Sequence, residues 1–400
     1  MNVETAHEDP ERIAADYDPH DLEQAQDPHA IYAKLRQRCP IAHSEQQGGF
    51  WLITRYKDIE AITHDPATFS SKTLVVPKDF YPEDVARQPP INLDPPDHTA
   101  FRRLLLPTFS QASAAKMEPL IRETCVAALA DFVAAGTCDA ATDYARRVPV
   151  SVIFGMLGIP KEDNDRFTSW VHTIMGSGLE KVDEAMAAGM EMGGYLAQLV
   201  ATHRSERPDD FTTDLLECEY EGQRLTDQEI IQVLFMVVVA GIDTTWSMIG
   251  SCLYHLASFP DDRRRLVENP SLLPSAVEEF LRLYAPVSVG RLVVADTELE
   301  GVKLSKGEMV LLSYPSANRD EAMFPNPDAF VPDRDGNRHA GFGVGIHRCL
   351  GAHIGRLEMR IALEEWLARI PEFELAGEVV WQPGQVWGPH RLPVVFPPVS

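Results

Sequence analysis

The chain has 400 residues, of which 60 are acidic and 36 are basic, and its net charge is −24. Nucleic acids and anionic membrane surfaces attract clustered Lys and Arg, so this charge balance argues against both as partners. The length is enough to bury a large core, and no Ser/Gly-rich linker, low-complexity segment or internal repeat divides the sequence. We therefore expect a single domain over residues 1–400.

Targeting signals are not visible. The N-terminal residues lack the basic and apolar regions of a signal peptide, and the longest uninterrupted apolar run, residues 233–242, is about half of the roughly 20 residues that a membrane span needs. The six cysteines are scattered, which is unlike a disulfide framework. We expect a cytoplasmic monomer without a membrane anchor.

The N-terminal half of the sequence changes character several times. Residues 1–25 are acidic, and we expect them to form a loosely attached arm. Residues 49–54 are rich in aromatic and β-branched side chains, which predicts a strand of a small sheet. Residues 70–92 contain four prolines and no clear period, which predicts a long loop of the kind that usually has a function. Residues 115–218 have a mainly helical pattern.

A histidine and an arginine follow the long loop. His98 and Arg102 are four residues apart in a predicted helix, so they lie on one face of it. The pair is typical of a solvated helix surface. It is also suited to a carboxylate ligand, because the planar guanidinium group of Arg binds both carboxylate oxygens.

The longest predicted helix begins at residue 226. Thr226-Asp-Gln-Glu229 is a capping box, and the pattern can continue to Ser258. About 32 residues at 1.5 Å each give a helix roughly 48 Å long. Its middle is apolar on all sides, so we expect it to be buried in the core.

Polar residues interrupt this apolar middle. The run Ala240-Gly241-Ile242-Asp243-Thr244-Thr245 places a glycine, a carboxylate and hydroxyls where each is unfavourable. One interpretation is a kinked core helix whose polar groups are satisfied. The other is a functional site, in which small residues let a flat ligand pass and an acid–alcohol pair relays protons.

The C-terminal half mixes helical and strand patterns. Glu279 and Arg282 are spaced as a helical ion pair, and Arg291 lies in a strand-like run over residues 287–294. Turns and strands alternate towards the C-terminus. Together with the helical body, this predicts a mainly α fold with small β-sheets (α+β).

A glycine-rich loop with one cysteine precedes the last predicted helix, in the run Gly341-Phe-Gly-Val-Gly-Ile-His-Arg-Cys349-Leu-Gly351. Apolar residues then recur at spacings of four, three and four from Leu350 to Ile361, so Cys349 lies at or just before a helix N-terminus. That position lowers the pKa of a thiol. The thiolate could be a nucleophile, a redox group or a metal ligand.

The pattern Phe342-Gly-x-Gly-x-His347-x-Cys349-x-Gly351 resembles the haem-ligand signature of the cytochrome P450 family, the haem-thiolate monooxygenases. Residues 240–245 resemble the distal oxygen-binding motif of the same family. The resemblance spans most of the chain. It implies the cytochrome P450 fold, with haem b between the long helix and the cysteine loop, and it implies that the Cys349 sulfur is the proximal ligand of the iron.

The resemblance also implies roles for other residues. Contacts with the haem or its propionates are implied for His98, Arg102, Ala240, Gly241, Arg291, Phe342, Gly343, His347 and Gly351. Thr244 would lie at the oxygen site, and Asp243 would link it to solvent. A structural trio behind the loop would consist of Glu279, Arg282 and Arg334. The substrate pocket would be bordered by residues 70–92 and by Val239, Val287, Val386 and Trp387.

The resemblance implies a monooxygenase that uses O₂ to hydroxylate or otherwise oxidise a hydrophobic small molecule, such as a terpenoid or an aromatic compound. No reductase region is visible, so we expect electrons from a separate ferredoxin and its reductase. A docking patch is expected among Arg103, Arg348, Arg356 and Arg360.

Three alternatives share the same cysteine. A peroxide-driven peroxygenase and a non-enzymatic haem-thiolate binder or sensor have no need of the proton relay that Asp243 and Thr244 would form. A Cys/His hydrolase using Cys349 and His347 lacks the third, orienting group of such sites.

Overall fold

Helices dominate the structure, a computed structural model that describes residues 9–78, 87–176, 181–220 and 222–399. The α-helices of this part of the chain are α1 Pro10–Asp16, α2 Pro28–Arg38, α3 Tyr56–Thr63, α4 Asp97–Leu105, α5 Gln111–Ala115, α6 Glu118–Ala130, α7 Arg147–Leu157, α8 Asn164–Gly176, α9 Val182–Glu206, α10 Phe211–Glu217, α11 Asp227–Ser258, α12 Pro260–Glu268, α13 Leu273–Leu283, α14 Tyr314–Ala317 and α15 Ala352–Arg369. The predicted mainly α composition is confirmed.

The strands are short and form small sheets beside the helical body. They are β1 Ile41–Ser44, β2 Phe50–Ile53, β3 Phe69–Ser70, β4 Thr137–Asp139, β5 Glu219–Tyr220, β6 Gln223–Arg224, β7 Ser288–Val293, β8 Thr297–Leu299, β9 Val302–Leu304, β10 Met309–Ser313, β11 Glu374–Leu375, β12 Val380–Gln382, β13 Gly388–Arg391 and β14 Pro393–Val395. The largest sheet has the order β1-β2-β10-β7-β3, with only the β2–β10 pair parallel.

Helix α11 is the centre of the core. It is 32 residues long, and the predicted capping box is present, with the Thr226 side chain accepting from Glu229 N–H and the Glu229 side chain accepting from Thr226 N–H. It packs against α7, α9, α15 and β13. Within the described residues it is the one helix long and apolar enough to cross a membrane, but 67% of its apolar window is buried inside the fold, as in a core helix.

Two parts of the first half differ from the sequence prediction. Residues 9–25 are not a loose arm: Ala14, Tyr17 and Ala25 are buried, and the Tyr17 carbonyl accepts a hydrogen bond from Ser44 Oγ at 2.6 Å. Residues 1–8 of the predicted arm lie outside the described residues. The predicted helical segment 115–218 also contains strand β4 and a π-helix, Ala140–Ala145. β4 forms because β14, about 250 residues away in sequence, pairs with it.

Candidate active site

The cysteine loop, residues 340–351, is closed by its own backbone. Gly343 and Gly345 have φ angles of 69° and 73°, which glycine adopts at no steric cost. A Cβ on Gly345 would also collide with the Thr63 backbone. Cys349 N–H donates to the Phe342 carbonyl at 2.8 Å, and α15 begins directly after its N-cap, Gly351. The loop therefore presents Cys349 just before the helix, as predicted.

The Cys349 side chain is exposed, but the protein around it limits solvation of a thiolate. Desolvation raises the pKa of the thiol, against the lowering effect of a hydrogen bond from Gly351 N–H and of the charges of Arg102 and Arg356. The prediction of a lowered pKa is therefore wrong for the chain alone. A cation bound at the sulfur would supply the charge compensation that solvent does not.

Four basic side chains from distant parts of the sequence converge near this loop. His98 and Arg102 come from α4, Arg291 from β7 and His347 from the loop itself. The rings of His98 and His347 have centroids 4.1 Å apart. Both ring nitrogens of His98 are buried without a hydrogen-bond partner within the described residues. Arg291 is only 4% exposed.

Burial is the main influence on the charges of this basic cluster. Desolvation, followed by the charges of Arg291, His98 and Arg102, lowers the pKa of His347 to about 2. Desolvation likewise lowers the pKa of Arg291. The neighbouring carboxylate, Asp94, already accepts from Ser70 Oγ at 2.5 Å and from Ser71 N–H at 2.8 Å.

A buried cation needs an anionic or hydrogen-bonding partner. The unpaired nitrogens of His98 and the buried guanidinium group of Arg291 therefore fit a bound group that carries carboxylates. His347 itself is oriented by Ser71, whose Oγ lies 2.9 Å from His347 Nε2. Sequence reasoning missed Ser71, because its partner is 276 residues away.

The middle of α11 presents a partly exposed face within an otherwise buried helix. Val239, Ala240, Gly241 and Thr244 are partly exposed, whereas Ile242 and Asp243 are buried. Thr244 Oγ1 donates to the Ala240 carbonyl at 2.8 Å, the back-bond that loosens a helical turn.

Gly241 has a packing role that the sequence did not indicate. A Cβ at this position would lie 2.6 Å from Ile153 Cδ1, so the glycine also permits close packing of α7 on α11. Asp243 faces a different neighbour, with Oδ1 at 3.4 Å from Nε2 of His390 on β13. The sequence did not indicate this partner either.

Glu279, Arg282 and Arg334 form a buried network. Both carboxylate oxygens of Glu279 accept from Arg282, at 2.7 and 2.8 Å, and both accept from Arg334 Nε at 3.1 Å. Glu279 and Arg282 are fully buried. Arg282 also donates to the carbonyl of Asn318, at 2.9 Å. The charged groups of this network pair with one another, unlike those of the basic cluster around His98 and Arg291.

This network supports the start of the cysteine loop through Asn318, and the neighbouring Glu278 links the start of the loop to α15. The Asn318 side chain accepts from Ala340 N–H, at 2.6 Å, where the loop begins. Glu278 binds His339 at 3.0 Å and Arg356 of α15 at 2.6 Å. These contacts fix the loop at both ends.

The predicted pocket residues have different outcomes. Val239 and Val287 are partly exposed, and Val386, buried, pairs with Val287 in a β-bridge. The Trp387 indole stacks on Trp381 at 4.2 Å, and its Nε1–H donates to the Ala25 carbonyl at 2.7 Å. Trp387 therefore anchors the N-terminal segment.

The predicted roof of the pocket, residues 70–92, is described only in part, since residues 79–86 lie outside the described residues.

Comparison with known proteins decides the family. Residues 20–376 match the family model "Cytochrome P450". The chain belongs to the cytochrome P450 family. It is 37% identical to a vitamin D(3) 25-hydroxylase of Pseudonocardia autotrophica over 94% of this chain and 95% of the relative, and 34% identical to a mycinamicin IV hydroxylase/epoxidase of Micromonospora griseorubida over 91% and 94%.

A solved P450 structure has the same fold. The P450 PksS of the bacillaene polyketide synthase from Bacillus subtilis 168 superposes with a TM-score of 0.88, at 31% identity over 95% of this chain and 99% of that chain. The P450 fold and the monooxygenase class expected from the sequence are therefore confirmed. The family implies a haem cofactor and uses O₂ and a redox partner.

We predict that Glu279→Gln destabilises this P450 by about 3–5 kcal/mol, because it leaves two buried guanidinium groups without their carboxylate. Urea unfolding of the purified protein measures the loss. The matched control is Asp261→Asn, which removes an exposed ion pair of the same i,i+3 spacing with Arg264, at 2.8 Å, and should change stability little. Equal stability of the two variants would contradict the structural role of Glu279.

Proposed function

We propose that this P450 is a haem b monooxygenase that inserts one oxygen atom of O₂ into a hydrophobic small molecule. The observation that carries the proposal is the basic cluster beside Cys349, whose side chain is exposed although the surrounding protein desolvates its thiol. A nucleophilic thiol would need a base, and the contacts of His347 in the described chain are with Ser71 and His98. The arrangement favours a ligand for iron next to a cradle for carboxylates.

The residues present fit the haem group. Cys349 would provide the sulfur ligand, and the propionates would neutralise Arg102 and Arg291 and accept hydrogen bonds from His98 and His347. When bound, the haem supplies the oxygen activation and redox chemistry, and the thiolate favours O–O cleavage. The chain contributes the ligand, the charge balance, the proton supply and a pocket that excludes water.

Thr244 and Asp243 would supply the protons. The Thr244 hydroxyl lies on the partly exposed face of α11 and is held by the Ala240 carbonyl. Asp243 is the adjacent acid, buried to 2% exposure. A proton taken up by this carboxylate can reach the Thr244 hydroxyl through an intervening water, which is general acid catalysis through a relay.

The substrate class rests on apolar side chains that the resemblance assigns to the pocket. Val239 and Val287 are partly exposed, and apolar walls with few polar groups suit hydrophobic ligands. Two relatives are named for the oxidation of vitamin D(3) and mycinamicin IV. We propose a terpenoid or an aromatic compound. Spectral titration of the haem-loaded protein against a compound panel would identify it.

The alternative functions fit less well. A peroxygenase receives electrons and protons with its peroxide, and a sensor needs neither, so neither accounts for a buried acid beside Thr244. We propose that electrons come from a ferredoxin and its reductase and that the enzyme is a cytoplasmic monomer.

Only two of the four arginines predicted for the docking patch are without an ion pair in the described residues. Arg356 is paired with Glu278, and Arg360 with Glu118 and Glu364. Arg103 and Arg348 are exposed and have no ion pair within the described residues. We propose these two as the partner-binding cations.

We predict that Thr244→Ala lowers product formation about a hundredfold while the enzyme still consumes reducing equivalents. Without the hydroxyl, protons are misdirected and the electrons appear as hydrogen peroxide. The measurement compares product, peroxide and consumed NAD(P)H with the redox partner present. Thr244→Ser keeps the hydroxyl and should stay coupled. Full coupling of Thr244→Ala, or faster turnover with peroxide alone in the wild type, would overturn the proposed monooxygenase relay.

We predict that Arg103→Glu and Arg348→Glu slow reduction by the ferredoxin about tenfold at low salt, because charge at the rim of an interface mainly controls association. The difference should shrink as salt rises. Stopped-flow reduction measures the rate. Arg264→Glu, on α12, is the control for net charge and should be reduced normally. Insensitivity to both substitutions would place docking elsewhere.

A further inference from the structure

The buried acid of α11 has an imidazole neighbour that belongs to none of the motifs in the sequence. Asp243 Oδ1 lies 3.4 Å from His390 Nε2, which is an ion-pair distance without a formed hydrogen bond. Asp243 Oδ2 is buried and has no hydrogen-bond partner in the described chain. The pair is thus close enough to exchange a proton after a small movement.

The position of His390 is built into strand β13. Val380 pairs with Arg391 and Trp381 pairs with Pro389, so His390 is the extra, unpaired residue of a β-bulge. Bulges are frequent next to active sites, where they redirect a side chain. Here the ring of His390 stacks on Trp246 with centroids 4.0 Å apart. Trp246 lies three residues after Asp243, on the same side of α11.

A second histidine continues the connection towards solvent. His172 of α8 is exposed, and its ring centroid lies 5.7 Å from that of His390, a separation that one water can bridge. Desolvation lowers the pKa of His172, as do the charges of His390 and Arg146, while Asp243 raises it. These influences agree with the geometry, which brings the four groups into one cluster.

One residue of this cluster, Arg146, lines a surface cavity of about 610 Å³, whose lining on α8 includes Asn164, Asp165 and Thr168. His172 follows Thr168 by one helical turn. The Arg146 guanidinium also lies 5.8 Å from the Trp246 ring. Charged groups that face His390 are therefore Asp243 from α11, His172 from α8 and Arg146 from the segment before α7.

We propose that His390 is a positioning residue that holds Asp243 and passes protons to it from His172. This inference rests on the proposed monooxygenase function, whose turnover consumes two protons and two electrons per O₂. A proton that leaves Asp243 towards Thr244 is replaced from Nε2 of His390. His390 regains one at Nδ1 from His172, exchange of its neutral tautomers returns a proton to Nε2, and His172 regains its own proton from solvent. The redox partner supplies the electrons, so no charge accumulates.

The test substitutes His390→Phe in the haem-loaded protein, which keeps a ring to stack on Trp246 but removes the titratable nitrogens. We expect product formation to fall about tenfold and its solvent isotope effect, the ratio of rates in H₂O and D₂O, to rise, because proton delivery becomes rate-limiting. Reduction by the ferredoxin, which needs no proton, should be unchanged. His172→Gln should show the same change to a smaller extent.

The control is His43→Phe, since His43 is also a strand histidine whose ring packs on a tryptophan, Trp51, at 4.7 Å, but it is exposed and lies on an edge strand of a different sheet. It should leave rate and isotope effect as in the wild type. If His390→Phe loses haem, His390→Gln replaces it, with the same expectation. A wild-type isotope effect in the His390 variants, whether or not the rate falls, would overturn the proposal.

Thr244→Ala, measured in parallel, separates the two proposals. If the wild type forms product and Thr244→Ala uncouples while His390→Phe behaves as the wild type, only the role of His390 fails. If the wild type forms no product with O₂ and a redox partner, the proposed function itself fails.

Discussion

Positive charge without an internal counter-ion is the constraint on which the site depends. His98, Arg102, Arg291 and His347 are brought together from α4, β7 and the cysteine loop, and the protein around them desolvates them. The desolvated guanidinium groups of Arg102 and Arg291 are unfavourable alone, so an anionic group bound beside them would stabilise the arrangement. A haem would supply both the carboxylates for this cluster and the cation for the Cys349 sulfur.

The ion-pair network that supports the cysteine loop is also charged, but its positive and negative side chains pair with each other. Adjacent residues of α13 support the cysteine loop from two sides: Glu279 through Arg282, Asn318 and Ala340, and Glu278 through His339 and Arg356. Every one of these contacts is made within the chain. The two groups of charges therefore differ. The ion pairs of Glu278 and Glu279 hold the cysteine loop in place, whereas the basic cluster is available to bind a ligand.

Local sequence signals predicted much of this structure. The capping box at Thr226, the glycine loop before Cys349 and the acid–alcohol pair in α11 each depend on residues close together in sequence. What could not be predicted depends on distant partners. Trp387 turns towards Ala25, Ser71 meets His347, and His390 reaches Asp243 through a bulge that forms only when β12 and β13 pair. The pKa of Cys349 likewise depends on how the whole fold encloses it.

The most direct test of the account is the absorption spectrum of the reduced, carbon-monoxide-bound protein after haem loading. Ligation by the Cys349 sulfur predicts the red-shifted Soret band that thiolate coordination produces, and it predicts loss of that band in Cys349→His with haem still bound. A colourless wild-type protein after haem supply, or a band that is unshifted in the wild type or unchanged in the variant, would contradict it.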